Sequence, residues 1–179
     1  AVQLRLKDLP DDEIARAAEA LKPVVQSRGA AFILNDRPDI AAEIGCDGVH
    51  VGPDDMPYRD ARRIVGPDAI VGMSCKTSRH SAMVAAEEGA DYVAFGAFFA
   101  SSTKDVEATA DPELLEWWSE IMTVPCVAIG GITPENCAPL VRAGADFICA
   151  ASGVWSHPDG PGAGVRAYNR AIGEAGADF

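Results

Sequence analysis

Seven short apolar runs punctuate the chain: Val2–Leu6, Ala31–Leu34, Gly48–Val51, Ile70–Met73, Tyr92–Phe95, Cys126–Ile129 and Phe147–Ala150. Most are continuously apolar rather than alternating, which predicts strands covered on both faces, as in parallel sheets. The first run differs. It reads Gln-x-Arg-x-Lys, and the two-residue period of a strand puts Gln3, Arg5 and Lys7 on one side. Helical patterns lie between the runs, at Asp11–Ser27, Pro38–Ile44, Tyr58–Val65, Ser78–Glu88, Asp111–Met122, Pro134–Ala143 and within Pro161–Ala175. Ser78 is an expected N-cap, and Asp111-Pro112 reads as a cap followed by proline at the first helical position. Gly45-Cys46-Asp47-Gly48-Val49, Gly89-Ala90-Asp91-Tyr92-Val93 and Gly144-Ala145-Asp146-Phe147-Ile148 echo one another. Each echo reads as a glycine ending a helix, a short turn and a buried strand. Asp47, Asp91 and Asp146 are therefore expected as turn or cap residues on the face that serves stability.

Strict strand–helix alternation predicts an α/β fold. A doubly wound sheet and a (β/α)8 TIM barrel both fit alternation alone, and three features favour the barrel. The units are even, at about 26 residues each. The echo recurs along the chain rather than in two halves. No GxGxxG follows the first run, so a dinucleotide fold has no support. Without a linker or a shift in composition, residues 1–179 read as a single barrel domain.

Composition then narrows the partners. Asp and Glu number 27 against 15 Lys and Arg, a net charge of −12, which argues against nucleic acid and anionic membranes. No stretch approaches the roughly 20 apolar residues of a membrane helix, and the first residues do not read as a signal peptide. Five cysteines without CxxC or zinc-like spacing fit reduced, mostly buried thiols and a cytoplasmic location. A homo-oligomer is compatible with the sequence.

In a barrel, the chemistry collects after the C-terminal ends of the strands. Asn35, Asp36 and Arg37 follow the second run, Asp54 and Asp55 the third, and Ser74, Cys75 and Lys76 the fourth. Ser101, Ser102, Thr103 and Lys104 follow the fifth, Gly130 and Gly131 the sixth, and Ser152 the seventh. Arg5, Lys7, Arg37, Lys76 and Lys104 thus share one rim of an acidic chain. Glycines and hydroxyls after the last two strands suit a phosphate at a helix start. Together with two aspartates they point to a phosphorylated substrate with Mg2+, which favours one or two carboxylates plus phosphate oxygens. Taken singly, each piece has a plainer reading. Asp36 and Asp55 serve equally well as turn residues, Gly130-Gly131 as a tight turn, Lys104 as a solvated lysine and His50 as a core histidine. Ala97–Ala110 is long for a βα connection and is expected as a mobile loop carrying Lys104. Of the adjacent Trp117 and Trp118, one is expected to pack.

The pieces VQLRLKD, ND, GVHVGPDD, VGMS, GADYVAFGAFF…STK, VAIGGI and GADFICAAS run in one order over nearly the whole chain. In that combination the sequence resembles the thiamine-phosphate synthase family. The resemblance implies a (β/α)8 barrel that condenses a pyrimidine diphosphate with a thiazole phosphate through a dissociative, carbocation reaction. It implies that Gln3, Arg5, Lys7 and Asn35 hold the pyrimidine diphosphate, that Asp36 and Asp55 bind Mg2+, and that Ser74 contacts the diphosphate. Lys104 would stabilise the departing charge, Ser101 and Thr103 would approach the thiazole, and Gly131, Ala151 and Ser152 would receive its phosphate. Related members of the fold include a thiazole tautomerase and non-catalytic precursor binders, and Gln3-Arg5-Lys7 with Lys104 favours the synthase. The chain departs from the family pattern at Pro53, where glutamine is usual, at Ala100-Ser101, where Pro-Thr is usual, and at Lys76, where histidine is common. The alignment of strands also implies that the family's first strand and helix would precede Ala1.

Overall fold

Seven strands and eight helices alternate in the computed structural model, which describes residues 1–100 and 109–177. The strands are β1 (Val2–Leu4), β2 (Phe32–Asn35), β3 (Gly48–Val51), β4 (Ile70–Lys76), β5 (Tyr92–Phe95), β6 (Cys126–Ile129) and β7 (Phe147–Cys149). The helices are α1 (Asp11–Gln26), α2 (Pro38–Ile44), α3 (Tyr58–Val65), α4 (Arg79–Glu87), α5 (Glu113–Ile121), α6 (Ala138–Arg142), α7 (Ser152–Trp155) and α8 (Pro161–Gly176). Strand order equals chain order, with β1 and β7 at its ends. The chain forms two compact units, one of Ala1–Ser74 with Ala82–Asp91 and one of Cys75–Ser81 with Tyr92–Phe179.

In the first unit, β1 to β4 pair in parallel, with Leu4 opposite Leu34, Asn35 opposite His50, and His50 opposite Gly72. Phe32, Leu34, Val49, Val51 and Val71 are buried completely or nearly so, and Ile14, Ala18 and Ala61 cover them from the helices. In the second, β5 to β7 pair in parallel, with Phe95 opposite Ala128 and Ile129 opposite Cys149. Phe95 meets the buried Trp118 edge-on at 5.5 Å between centroids. The Trp118 indole N–H donates to the Val124 carbonyl (2.8 Å), while Trp117 lies beneath the Arg79 guanidinium at 4.6 Å.

The repeated aspartates have one structural purpose. The Phe32 N–H at the start of β2 donates to Asp47 Oδ2 (2.7 Å), the Val71 N–H in β4 to Asp91 Oδ2 (2.7 Å), and the Cys126 N–H starting β6 to Asp146 Oδ2 (2.8 Å). In return, the Asp47, Asp91 and Asp146 N–H groups donate to the carbonyls of Phe32, Val71 and Cys126. Each carboxylate thus clamps the strand before its own, on the side of the sheet where strands begin, as the repeat predicts. The glycine two residues earlier makes the turn possible. Gly45, for example, closes α2 in the left-handed conformation (φ 73°, ψ 47°). Asp91 also accepts from the Arg62 guanidinium at 2.5 Å. Replacing Asp91 by Ala strands a β4 N–H and is expected to cost about 1–3 kcal/mol, read as a lower midpoint in urea at unchanged slope.

Differences from the sequence expectation fall at polar ends. β1 stops at Leu4 instead of Leu6, because the alternating charges beyond it have no ladder to join. β4 runs on through Ser74, Cys75 and Lys76, whose polarity reads as loop although the backbone stays extended. The helix expected from Pro134 begins at Ala138. Before it, the Asn136 side chain folds a turn by accepting the Thr133 N–H (2.7 Å) and donating to the Gly131 carbonyl (3.1 Å). The short α7 has no apolar period long enough to announce it. Ser78 caps α4, its Oγ accepting the Ser81 N–H at 3.1 Å, and Asp111 Oδ1 accepts the Glu113 N–H at 3.0 Å.

Candidate active-site residues

The first unit gathers most of the expected diphosphate residues at the C-terminal ends of β1 to β4. Gln3, Arg5 and Lys7 are exposed while Val2, Leu4 and Leu6 alternate with them as half-buried residues, so the two-residue period survives past the end of β1. Gln3 and Arg5 have no ion-pair or hydrogen-bond partner among the described residues, and Lys7 Nζ stands 3.3 Å from Asp36 Oδ2. Asp36 follows β2 with φ 64°, and its N–H donates to the His50 carbonyl (2.8 Å). The Asp55 carboxyl lies within hydrogen-bonding reach of Asp36, and its Oδ2 also accepts the Gly52 N–H at 2.9 Å. Burial and then the facing Asp55 carboxyl raise the pKa of Asp36 above the ordinary aspartate value, and together they outweigh the opposing Lys7.

Two converging carboxylates match the ligands Mg2+ takes when phosphate oxygens complete its shell, and the Lys7 ammonium beside them suits the phosphate rather than the metal. A bound cation would relieve the repulsion between the two carboxylates. No group of three or more His, Cys, Asp or Glu side chains placed to hold a metal ion occurs among the described residues.

Asn35 ends β2 directly opposite His50. Ser74, on β4, has its Oγ 2.8 Å from His50 Nε2. His50 is buried, as a core histidine should be, yet its ring orients an expected substrate-binding hydroxyl. A polar residue in the middle of the apolar run Gly48–Val51 was the available signal for that part. Arg37 is not a free rim cation. Its guanidinium is held by Asp39 (2.9 and 2.6 Å) and by both carboxylate oxygens of Asp11, bonds that raise its pKa further and consume its donors. Lys76 is exposed at the end of β4, with a left-handed backbone (φ 52°).

The second unit holds the residues expected around the other phosphate. Gly131 and Ala151 lie two residues beyond the register partners Ile129 and Cys149 of neighbouring strands. Among the described residues the N–H groups of Gly131, Ser152 and Gly153 have no acceptor, leaving donors at the strand ends for an anion. Gly131 is required as glycine. It has φ 59°, and a Cβ there would lie 2.3 Å from the Ala100 carbonyl oxygen. Ser101, Thr103 and Lys104 lie outside the described residues.

The cysteines are free thiols, and burial pushes Cys75 up to about 12 and Cys126 to about 11. At neutral pH they are protonated and are not nucleophiles. No helix among the described residues is long and apolar enough to cross a membrane.

Chain-ordered parallel strands, with their polar chemistry beyond the C-terminal ends, define a protein of the (β/α)-barrel class. The thiamine monophosphate synthase family profile matches residues 1–154. A thiamine-phosphate synthase of Rhodospirillum centenum is 66% identical over 171 residues, covering 96% of this chain and 83% of that protein. One from Hyphomonas neptunium is 50% identical over 94% of this chain and 78% of its own length. The solved thiamine phosphate pyrophosphorylase of Pyrococcus furiosus superposes with a TM-score of 0.84 at 31% identity, covering 97% of this chain and 82% of that one. The chain belongs to the thiamine monophosphate synthase family, and it is an enzyme of the transferase class.

Proposed function

We propose that this chain joins 4-amino-5-hydroxymethyl-2-methylpyrimidine diphosphate to hydroxyethylthiazole phosphate, giving thiamine phosphate and pyrophosphate. Family membership supports the reading, and the Lys7–Asp36–Asp55 cluster is the observation that carries it. In the reaction the bond between the pyrimidine methylene carbon and the diphosphate oxygen breaks, and its electron pair leaves with the oxygen. The nitrogen lone pair of the thiazole then forms the new C–N bond to the methylene cation. No proton need be removed, so the chain's task is to bind two anions and stabilise a departing one.

Gln3, Arg5, Lys7 and Asn35 bind the pyrimidine diphosphate, with Ser74 oriented by His50 to donate to it. Asp36 and Asp55 would hold Mg2+, which supplies neutralisation of diphosphate charge. Lys104 stabilises the same charge as it leaves. Gly131, Ala151 and Ser152 take the thiazole phosphate, largely through backbone donors, and Ser101 and Thr103 approach the ring. Five free cysteines support a reducing, cytoplasmic location.

Incubating the purified chain with both precursors and Mg2+ tests the reading. Thiamine phosphate and pyrophosphate should appear in equal amounts. Isomerisation of a thiazole phosphate without coupling, or binding without turnover, would replace it with a tautomerase or a precursor-binding protein.

A further inference from the structure

We infer that Arg37 is a positioning residue that fixes the Asp36 carboxylate toward Asp55, acting through the backbone turn the two residues share and making no contact with substrate itself. The inference rests on the proposed role of Asp36 and Asp55 as cation ligands.

The turn is unusual. The Arg37 N–H donates to the Asn35 carbonyl at 2.9 Å, closing three residues with Asp36 at their centre. Asp36 has φ 64°, the sign of the rarer and more strained three-residue turn. Aspartate tolerates that conformation better than most residues but does not seek it, so neighbouring bonds must impose it. On one side, the Asp36 N–H is held by the His50 carbonyl at 2.8 Å. On the other, Arg37 leads directly into Pro38, the first residue of α2, whose ring limits the backbone. Between them, the Arg37 side chain is the only described one that ties the turn to two helices at once. Its Nε and one terminal nitrogen meet the two carboxylate oxygens of Asp39, in the first turn of α2, at 2.9 and 2.6 Å. The terminal nitrogens also meet both oxygens of Asp11, the first residue of α1.

A planar five-donor fork can serve two carboxylates in this way, whereas an ammonium cannot. The same bonds remove Arg37 from the set of cations available to an incoming anion. Charge alone and the fork therefore make opposite forecasts for two variants. Arg37→Lys keeps the charge and loses the fork. Asp39→Asn keeps the guanidinium, relieves it of a carboxylate and loosens the fork. If Arg37 served as a rim cation, Arg37→Lys would be nearly silent and Asp39→Asn would strengthen anion binding.

The test measures binding of Mn2+, as a paramagnetic stand-in for Mg2+, in the presence of inorganic pyrophosphate, by electron paramagnetic resonance of free Mn2+. Each variant is first shown by circular dichroism to be folded at the temperature used. Arg37→Lys and Asp39→Asn should each weaken Mn2+ binding by about 10–100-fold, the range typical of groups that orient a metal ligand. Asp36→Asn should weaken it more. Parental Mn2+ affinity in folded Arg37→Lys and Asp39→Asn, with Asp36→Asn impaired, overturns the positioning role while leaving the cation ligands in place. Parental affinity in Asp36→Asn refutes the ligand assignment and the inference together. Loss of Mn2+ binding in Arg37→Lys alone, with Asp39→Asn unchanged or tighter, also overturns it, because the guanidinium then acts without its bonds to Asp39.

Discussion

Asp36→Asn should lower turnover by about 10²–10³-fold at saturating precursors and limiting Mg2+, while its melting temperature stays close to that of the parent. The amide keeps the size and the turn-forming capacity of the side chain but supplies one fewer negative charge to the pair with Asp55. Raising Mg2+ should restore part of the rate, since Asp55 remains. A variant with near-parental rates at limiting Mg2+ would remove Asp36 from the ligand set. The raised pKa of Asp36 gives the same pair a pH signature. A carboxyl whose folded pKa lies above its unfolded one favours folding below that unfolded value, and the benefit is lost as pH rises through the folded pKa. The metal-free protein should therefore bear a small cost from this pair at neutral pH. Asp55→Asn should relieve it and bring the Asp36 midpoint, followed by carboxyl NMR, back toward the ordinary range. No downward movement of that midpoint would show that burial alone raises it.

Lys104→Ala should reduce the single-turnover rate of coupling by a comparable ~10²–10³-fold, with thiazole phosphate affinity changed far less. The forecast comes from its place in the STK segment after β5 and from the charge that must leave with pyrophosphate. Cation stabilisation of a leaving group acts on the transition state, so kcat should fall and KM for the thiazole partner should hold. Weaker thiazole phosphate binding with an unchanged chemical step would assign Lys104 to the other substrate.

These expectations were readable because barrel chemistry follows strand ends, and strand ends follow from apolar runs. Gly48–Val51, Tyr92–Phe95 and Cys126–Ile129 begin and end in the structure where the runs do. Asp36 and Asp55 fall in the loops that immediately follow two such strands, so their convergence was also legible. Arg37 was not. Its charge is plain in the sequence, but the carboxylates that engage it include Asp11, brought from the start of another helix by the fold. His50 was read as a core residue and is buried, yet its link to Ser74 depends on the register of β3 against β4, which a single strand does not specify. The extended backbone of Ser74–Lys76 was hidden for a related reason. Polarity marks solvent contact, and a strand end on the rim is polar without being a loop.

The reciprocal carboxylate clamps make the strand pair, rather than the single strand, the indivisible quantum of this chain. Asp47 locks β3 to β2 and Asp146 locks β7 to β6, while Asp91 holds Val71 in β4. A proteolytic nick near Gly66, between α3 and β4, leaves every lock intact on one fragment or the other. A nick at Gly89 instead parts Asp91 from Val71 and must break one to separate the pieces. Fragments made by the first cut should therefore reassociate from denaturant more readily than fragments made by the second. The sequence echo spaced along the chain then has a physical meaning: it marks where the polypeptide cannot be divided without undoing what holds neighbouring strands in step.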